Sequence, residues 1–199
     1  MRRKSIIIAS ILLFGIFFTS NSIFAQKKSF HVNSAQSKVE WLGKKVTGEH
    51  LGTINVSAGS IVLEGAQIRA ADFVVDMRSI ENTDLKDIGY KAKLEGHLKS
   101  DDFFGVNKFP ESKFILTDSK LLQNGIYDVK GNITIKGITN PIEFKVTLDN
   151  QEEALHVSGK VVIDRSNFNV RYGSGSFFDN LGDKTIYDDF ELNLDLILQ

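Results

Sequence analysis

The stretch FELNLDLIL at residues 190–198 decides the fold class of this 199-residue chain. Its apolar side chains recur at every second position, and three of the four positions between them are polar. Successive side chains of a β-strand point to opposite faces of the sheet, so this period of two predicts a strand with one apolar and one solvated face.

The same alternation recurs through most of the chain. It is clear at residues 129–136, 142–148 and 155–164, and weaker at 39–42, 53–58, 60–64, 71–77 and 113–117. Short turns bearing Gly or Asn separate many of these stretches, and Asn124-Gly125 is the strongest hairpin signal among them. Eight or nine consecutive strands with one apolar face predict an antiparallel sheet that closes into a barrel or packs as a sandwich.

One segment departs from the period of two. Residues 88–98 place Tyr90, Leu94 and Leu98 at helical spacing, which predicts a short helix inserted between strands. The predicted fold is therefore all-β, an eight-stranded antiparallel barrel with a short helical insertion.

The first 25 residues have the layout of a secretory signal peptide. Arg2, Arg3 and Lys4 precede an apolar run at residues 6–18, and Ala25 supplies a small residue for cleavage. A run this short does not reach across a hydrocarbon core of roughly 30 Å. We expect a signal peptide at 1–25, one barrel domain at 26–199, and a periplasmic or secreted mature protein.

An outer-membrane barrel is the main rival fold, because it also alternates apolar and polar residues but turns the apolar face outward. Alternation alone does not decide between the two. Several of the predicted strands cover only five to seven residues, whereas a membrane-crossing strand needs about 9–11. The strand lengths therefore favour a barrel with an apolar interior.

Several function classes find no support in the composition. Without cysteine the chain has no disulfides, thiol nucleophile or cysteine-bound metal, and 24 basic against 25 acidic residues give no reason to expect nucleic acid. The four histidines lack metal-ligand spacing, and Asp179, Asp183, Asp188 and Asp189 do not fit a calcium loop. No phosphate loop or nucleophile elbow is present, so we expect no metal, no cofactor and no catalytic residues.

The strongest compositional bias is 15 Phe against one Trp and four Tyr. Four of the Phe lie in the predicted signal peptide, and most of the others lie on the apolar face of strands or in the irregular segments. An eight-stranded barrel is just wide enough to be filled by side chains or to hold one small ligand. Both a filled core and a lined cavity remain open at this point.

Four segments resemble the YceI-like family in the expected order. They are EGHLKSDDFF at 95–104, followed by Phe109-Pro110 and Lys113-Phe114; FVVDMRSI at 73–80, with Thr83; VKGNITIKGIT at 129–139; and IDRSNF at 163–168. The resemblance runs from about Phe30 to the end of the chain. It implies an extended, lipocalin-like barrel, exported to the periplasm, whose long apolar tunnel holds a polyisoprenoid or similar amphiphilic lipid.

A cavity in such a barrel needs a wall and an entrance. The expected lipid contacts are Trp41, Phe73, Val75, Met77, Phe114, Leu116, Phe144 and Leu192 on the wall, with Phe103, Phe104 and Phe109 near the entrance. His97 either donates to a lipid head group or packs the helix onto the barrel. The partners expected are a long-chain isoprenoid or fatty lipid and transiently the membrane, with a homodimer left open.

Two other functions compete with a lipid carrier. One is a structural or interaction protein of the envelope stress response, with a solid core and no ligand. The other is an enzyme on the same barrel, which needs a titratable group inside the tunnel. The inward positions identified from the pattern hold none, so a non-enzymatic binding protein is the preferred hypothesis.

Overall fold

The computed structural model describes residues 26–151 and 154–199. The signal peptide expected at residues 1–25 lies outside the described residues. The described part contains one α-helix, α1 (Ile88–Lys99), and nine strands: β1 (Lys27–His31), β2 (Lys38–Lys45), β3 (Gly48–Glu64), β4 (Gln67–Asn82), β5 (Glu111–Gln123), β6 (Ile126–Ile135), β7 (Ile138–Gln151), β8 (Ala154–Asp164) and β9 (Ile186–Leu198).

Strands β2 to β9 form a closed antiparallel barrel. Each pairs with the next along the chain, and β2 closes the circle by pairing with β9, with Trp41 opposite Leu192. The short β1 pairs with the second half of β3, and an isolated bridge joins Val32 to Leu198. Strands β1 and β2 pair with successive parts of β3 and therefore occupy one strand position in the barrel. The nine strands thus form the predicted eight-stranded barrel with one helix, which is confirmed.

The strands are longer than the sequence pattern predicts. Residues 53–58 and 60–64 belong to one strand, β3, of 17 residues. Its register with β4 shifts between Val56 and Ala58 and again between Val62 and Leu63. After a bulge, the residues that would have pointed to the inner face of the sheet point to the outer face, and the reverse. The alternation of apolar and polar residues is therefore interrupted although the strand continues. The prediction of strands of only five to seven residues is therefore wrong for β3.

Strand length consequently does not separate the two kinds of barrel, but the polarity of the two faces does. Cross-strand ion pairs lie on the outer face, including Lys130–Glu143 at 3.3 Å and Lys160–Glu191 at 2.7 Å. The inner face carries the apolar set that forms the buried core. This arrangement is the reverse of that in an outer-membrane barrel.

No helix among the described residues is long and apolar enough to cross a bilayer.

The predicted helix at residues 88–98 is confirmed as α1. Its first turn is capped by Asp87, whose carboxylate accepts the Tyr90 N–H at 2.9 Å. It ends where the Ser100 N–H and hydroxyl both donate to the His97 carbonyl. On β4, the Asn82 N–H donates to Glu95 at 2.8 Å, which ties α1 to the rim of the barrel.

The two ends of the barrel differ. The helical end carries α1, the irregular segments 100–110 and 165–185, and the turns at 46–47 and 136–137. The opposite, closed end carries the turns at 65–66 and 124–125 and the end of β9 at Leu198.

Candidate functional site

The barrel encloses a cavity of about 540 Å³. Every strand from β2 to β9 contributes to its wall, and the lining is predominantly apolar. Small-molecule sites typically measure about 300–1,000 Å³ and are mostly apolar with a few polar groups, so this cavity is large enough for one ligand.

The burial of inward side chains along β9 shows where the interior is hollow. Leu192 and Leu194 point into the barrel but are only half-buried, whereas Leu196 and Leu198 are buried. All four belong to the alternating stretch at 190–198. The interior is therefore hollow towards the helical end and packed towards the closed end, which counts against a solid core.

The cavity is long and narrow. On β9 alone its lining runs from Ile186 to Leu196. At about 3.3 Å per residue and a strand tilt of roughly 35–45°, this corresponds to about 25 Å along the barrel axis. A slot of this shape suits an extended hydrocarbon chain.

Cross-strand packing of aromatic rings on glycines keeps the lumen open. Three rings of the wall lie over a glycine of the neighbouring strand: Trp41 over Gly52, Phe73 over Gly59 and Phe114 over Gly131. A Cβ atom at any of these glycines would lie within 2.5 Å of the ring. Because these positions carry no side chain, each ring packs against the wall instead of filling the centre.

Tyr127 helps to seal the closed end. Its hydroxyl donates to the carbonyl of Ala66 in the β3–β4 turn at 2.6 Å. Burial raises the pKa of Tyr127. At the same end of the barrel, Leu155 and Leu198 have no exposed surface.

At the helical end, α1 and the segment that follows it cover part of the barrel. Leu94, His97 and Leu98 of α1 line the cavity. The His97 ring packs edge-on against Phe103 at 5.6 Å and against Tyr172 at 4.2 Å between ring centroids. Its ring makes no hydrogen bond within the described part of the chain. His97 therefore joins α1 to the two irregular segments that contain Phe103 and Tyr172.

Lys136, in the β6–β7 turn, holds the same irregular segments in place. Its ammonium group donates to the carbonyls of Phe103 at 2.6 Å, Asp101 at 3.0 Å and Asn169 at 3.3 Å. Burial lowers the pKa of Lys136, while Asp101 and Asp102 oppose that effect.

Arg165 is a titratable group of the cavity wall that the strand pattern does not predict. Only 2% exposed, it donates to the carbonyls of Val170, Ile186 and Tyr187 at 2.8–3.2 Å. Burial lowers its pKa, while Asp188, 3.3 Å away, opposes the shift. Arg165 is not among the inward positions identified from the strand pattern, which hold no titratable group. The signal for Arg165 was its place in IDRSNF at 163–168, just beyond the last alternating residue of β8.

The charged residues of the wall are mainly cationic. Lys44, Lys45 and Lys184 line the cavity at the helical end, and Asp183 is the only acidic residue in the wall among those described. In the described ranges, no group of three His, Cys, Asp or Glu side chains is arranged to hold a metal ion.

The structure brings together almost all the residues that were expected to contact lipid. The ones that line the cavity are Trp41, Phe73, Val75, Met77, Phe103, Phe104, Phe114, Leu116, Phe144 and Leu192. Phe109 does not line it. Its ring packs instead against Gly137 in the β6–β7 turn, where a Cβ atom would lie 2.8 Å from the ring. The strand pattern gives no signal for Tyr172 and Tyr187, which also line the cavity.

Comparisons with known proteins agree with this fold. A family model described as the YceI-like domain matches residues 30–198. A UPF0312 protein of Pseudomonas putida is 30% identical over 100 residues, which is 50% of each chain. That match spans about half the length of the relative.

Two solved structures share the architecture. BcnA of Burkholderia cenocepacia superposes with a TM-score of 0.68 at 24% identity, covering 83% of this chain and 98% of BcnA. A domain of Saccharophagus degradans, described as polyisoprenoid-binding and implicated in plant cell wall breakdown, superposes with a TM-score of 0.62 at 14% identity. That match covers 88% of this chain and 98% of the domain. At these identities the likeness establishes the fold.

Proposed function

This chain belongs to the YceI-like family, and on that premise we propose that its barrel binds one long-chain amphiphilic lipid, such as a polyisoprenoid. The protein sequesters or carries this lipid in the periplasm after export through its N-terminal segment. The observation that carries the proposal is the long apolar cavity, hollow towards the helical end and closed at the other.

The binding energy comes from the hydrocarbon chain. Each methylene that leaves water contributes about 0.8 kcal/mol, so a long chain binds tightly without a specific polar contact. The cations near the helical end, Lys44, Lys45 and Lys184, favour a polar head group at that end, with the chain tail towards Leu196. His97 is available as a donor to that head group only if it rotates away from Phe103 and Tyr172.

The polar groups of the wall support binding rather than catalysis. Arg165 is already engaged by three backbone carbonyls, and His97 packs between two aromatic rings. A catalytic site needs a nucleophile or an acid–base group within reach of the reacting atoms. The domain from Saccharophagus degradans that is described as polyisoprenoid-binding supports the choice of ligand class.

Native mass spectrometry of the gently purified protein tests the proposal. We expect an added mass corresponding to one lipid, which organic extraction then releases for identification. Leu192→Trp fills the cavity and should lose that mass. Val162→Trp is its matched control, because Val162 lies on the outer face of the neighbouring strand and is 51% exposed. A bare chain mass and a lipid-free extract would overturn the proposal.

A further inference from the structure

The exposed aromatic side chains of the described residues all lie at the helical end. They are Tyr90 on α1, Tyr172, Phe177 and Phe178 in the segment before β9, and Tyr187, the second residue of β9. The exposed large apolar residues described on the outer face of the barrel wall and at the closed end are aliphatic. A cluster of exposed apolar side chains indicates an interaction surface, whereas single exposed apolar residues are common on any protein.

This aromatic surface is continuous with the cavity. Tyr172 is 49% and Tyr187 51% exposed, yet both also line the cavity wall. Phe178, 50% exposed, lines a shallow surface depression together with Tyr172 and Lys184. Tyr172, Phe178 and Tyr187 therefore lie where the cavity reaches the surface.

Basic residues stand among the rings. Lys45 and Lys184 both line the cavity at this end, and neither makes an ion pair with another described residue. The β2–β3 turn is held beside the segment before β9 by a hydrogen bond from the Val46 N–H to the Thr185 carbonyl at 3.1 Å. Val46 adds a further exposed apolar side chain. We call this set the mouth rim: Lys45, Val46, Tyr172, Phe178, Lys184 and Tyr187.

We propose that the mouth rim docks onto the surface of an anionic phospholipid bilayer, with the cavity facing the membrane. Amphipathic tyrosines favour the boundary between head groups and acyl chains, and each lysine near an anionic surface contributes about 1 kcal/mol. Docking in this orientation lets a lipid pass between bilayer and cavity without exposing its chain to water. That last step rests on the proposed function, whereas docking itself is measured independently.

The charge of the rim selects this partner. Asp183 is the only acidic residue in the described cavity wall, where Lys45 and Lys184 lie at the same end and Lys44 is paired with Glu191 at 3.4 Å. The depression beside Phe178 holds Asp101 and Asp102 as well, against the cations Lys136, Arg171 and Lys184. Cations therefore outnumber anions around the rim. A surface of exposed rings with unpaired lysines is complementary to anionic head groups over apolar chains. The same two features are what an interfacial membrane-binding surface requires.

Sedimentation with phospholipid vesicles tests the proposal. We expect the purified protein to bind vesicles of phosphatidylglycerol and phosphatidylethanolamine, to bind vesicles of phosphatidylcholine alone more weakly, and to dissociate as salt is raised. Lys184→Gln should weaken binding to the anionic vesicles about fivefold. Phe178→Ser should weaken it roughly tenfold, because a large apolar side chain no longer enters the bilayer.

Val162→Ser is the matched control. Val162 is as exposed as Phe178 but lies on the barrel wall, so this variant should bind vesicles like the parent. No vesicle binding by the parent protein, or equal effects of Phe178→Ser and Val162→Ser, would overturn the proposal. If the two variants bound vesicles equally, the partner of the mouth rim would be a protein and not a bilayer.

Lipid content, measured by native mass spectrometry on the same samples, separates the two proposals. Phe178 is outside the cavity wall, so Phe178→Ser should retain any lipid that the parent carries. If the protein carries lipid but does not bind vesicles, the docking proposal is contradicted and the proposed function is not. If the protein binds vesicles but carries no lipid, the proposed function is contradicted and the docking proposal is not.

Discussion

The ring of Phe114 occupies the space next to Gly131 on the neighbouring strand, where a Cβ atom would lie 2.3 Å from its Cε2 atom. Gly131→Ala should therefore drive this ring into the cavity, towards Phe144 at 5.4 Å. The added methyl group also meets the Ile115 carbonyl at 2.6 Å. We expect a loss of roughly 1–3 kcal/mol in the free energy of unfolding and a lower lipid content.

Urea unfolding and native mass spectrometry check this prediction. Gly175→Ala is the control, because nothing lies within 4 Å of a Cβ atom there and its φ angle is not positive. If Gly131→Ala were as stable and as fully loaded as Gly175→Ala, the glycine would not be needed to keep the lumen open.

The hollow and the packed parts of the interior should respond differently to truncation. Leu155 has no exposed surface, so Leu155→Ala should cost about 2–5 kcal/mol. Phe144 already borders the cavity, so in lipid-free protein Phe144→Ala should cost less than Leu155→Ala although it removes more atoms. Chemical denaturation measures both values. A cost for Phe144→Ala equal to or larger than that for Leu155→Ala would instead indicate a solid core.

Arg165 should be among the most sensitive residues of the helical end. Arg165→Gln releases three carbonyls and leaves the half-buried Asp188 without its cation, so we expect a loss of about 3–5 kcal/mol. Arg171→Gln is the exposed control and should change stability by no more than about 0.5 kcal/mol. Similar thermal unfolding of the two variants would show that Arg165 does not hold the segment before β9.

Asp84, in the segment before α1, accepts hydrogen bonds from β3, and we expect low pH to weaken this junction by protonating its carboxylate. This carboxylate is partly desolvated, which favours its neutral form. Hydrogen bonds from His50 at 2.9 Å, the Leu51 N–H at 3.1 Å and Asn82 outweigh that effect and hold the pKa of Asp84 below its usual 3.8.

Because the pKa of Asp84 is lower in the folded state than in the unfolded state, its ionised form stabilises the fold at pH values above 3.8. This contribution is lost progressively as the pH falls below 3.8. Asp84→Asn should therefore lower stability at pH 7 and lose less stability than the parent on going to pH 3. Urea titrations at the two pH values check this. Parallel losses in parent and variant would contradict it.

The strand pattern predicts the faces of the barrel well, because alternation follows directly from strand geometry. Leu192 and Phe144 are placed on the inner face by the period of two alone, and both line the cavity. The same pattern does not give strand length, since the bulges in β3 shift the register and interrupt the period.

Whether the interior is hollow depends on neighbours across strands, which alternation does not encode. Phe114 leaves the lumen open only because Gly131 lies beside it. The two are diagonal neighbours, because the register of β5 with β6 places Leu116 directly opposite Gly131. Arg165 and Tyr172 lie in irregular segments with no period. Their places in the cavity wall follow from hydrogen bonds and ring packing that only the folded chain brings together.

Fluorescence of Trp41 tests the central claim most directly. It is the only tryptophan of the chain, it lines the cavity, and its indole N–H is fixed to the Thr53 carbonyl at 3.1 Å. A fatty acid brominated in mid-chain, added to delipidated protein, should quench this fluorescence saturably at one molecule per chain, while the unbrominated acid should not. Unchanged fluorescence at saturating brominated lipid would contradict a lipid chain inside the barrel.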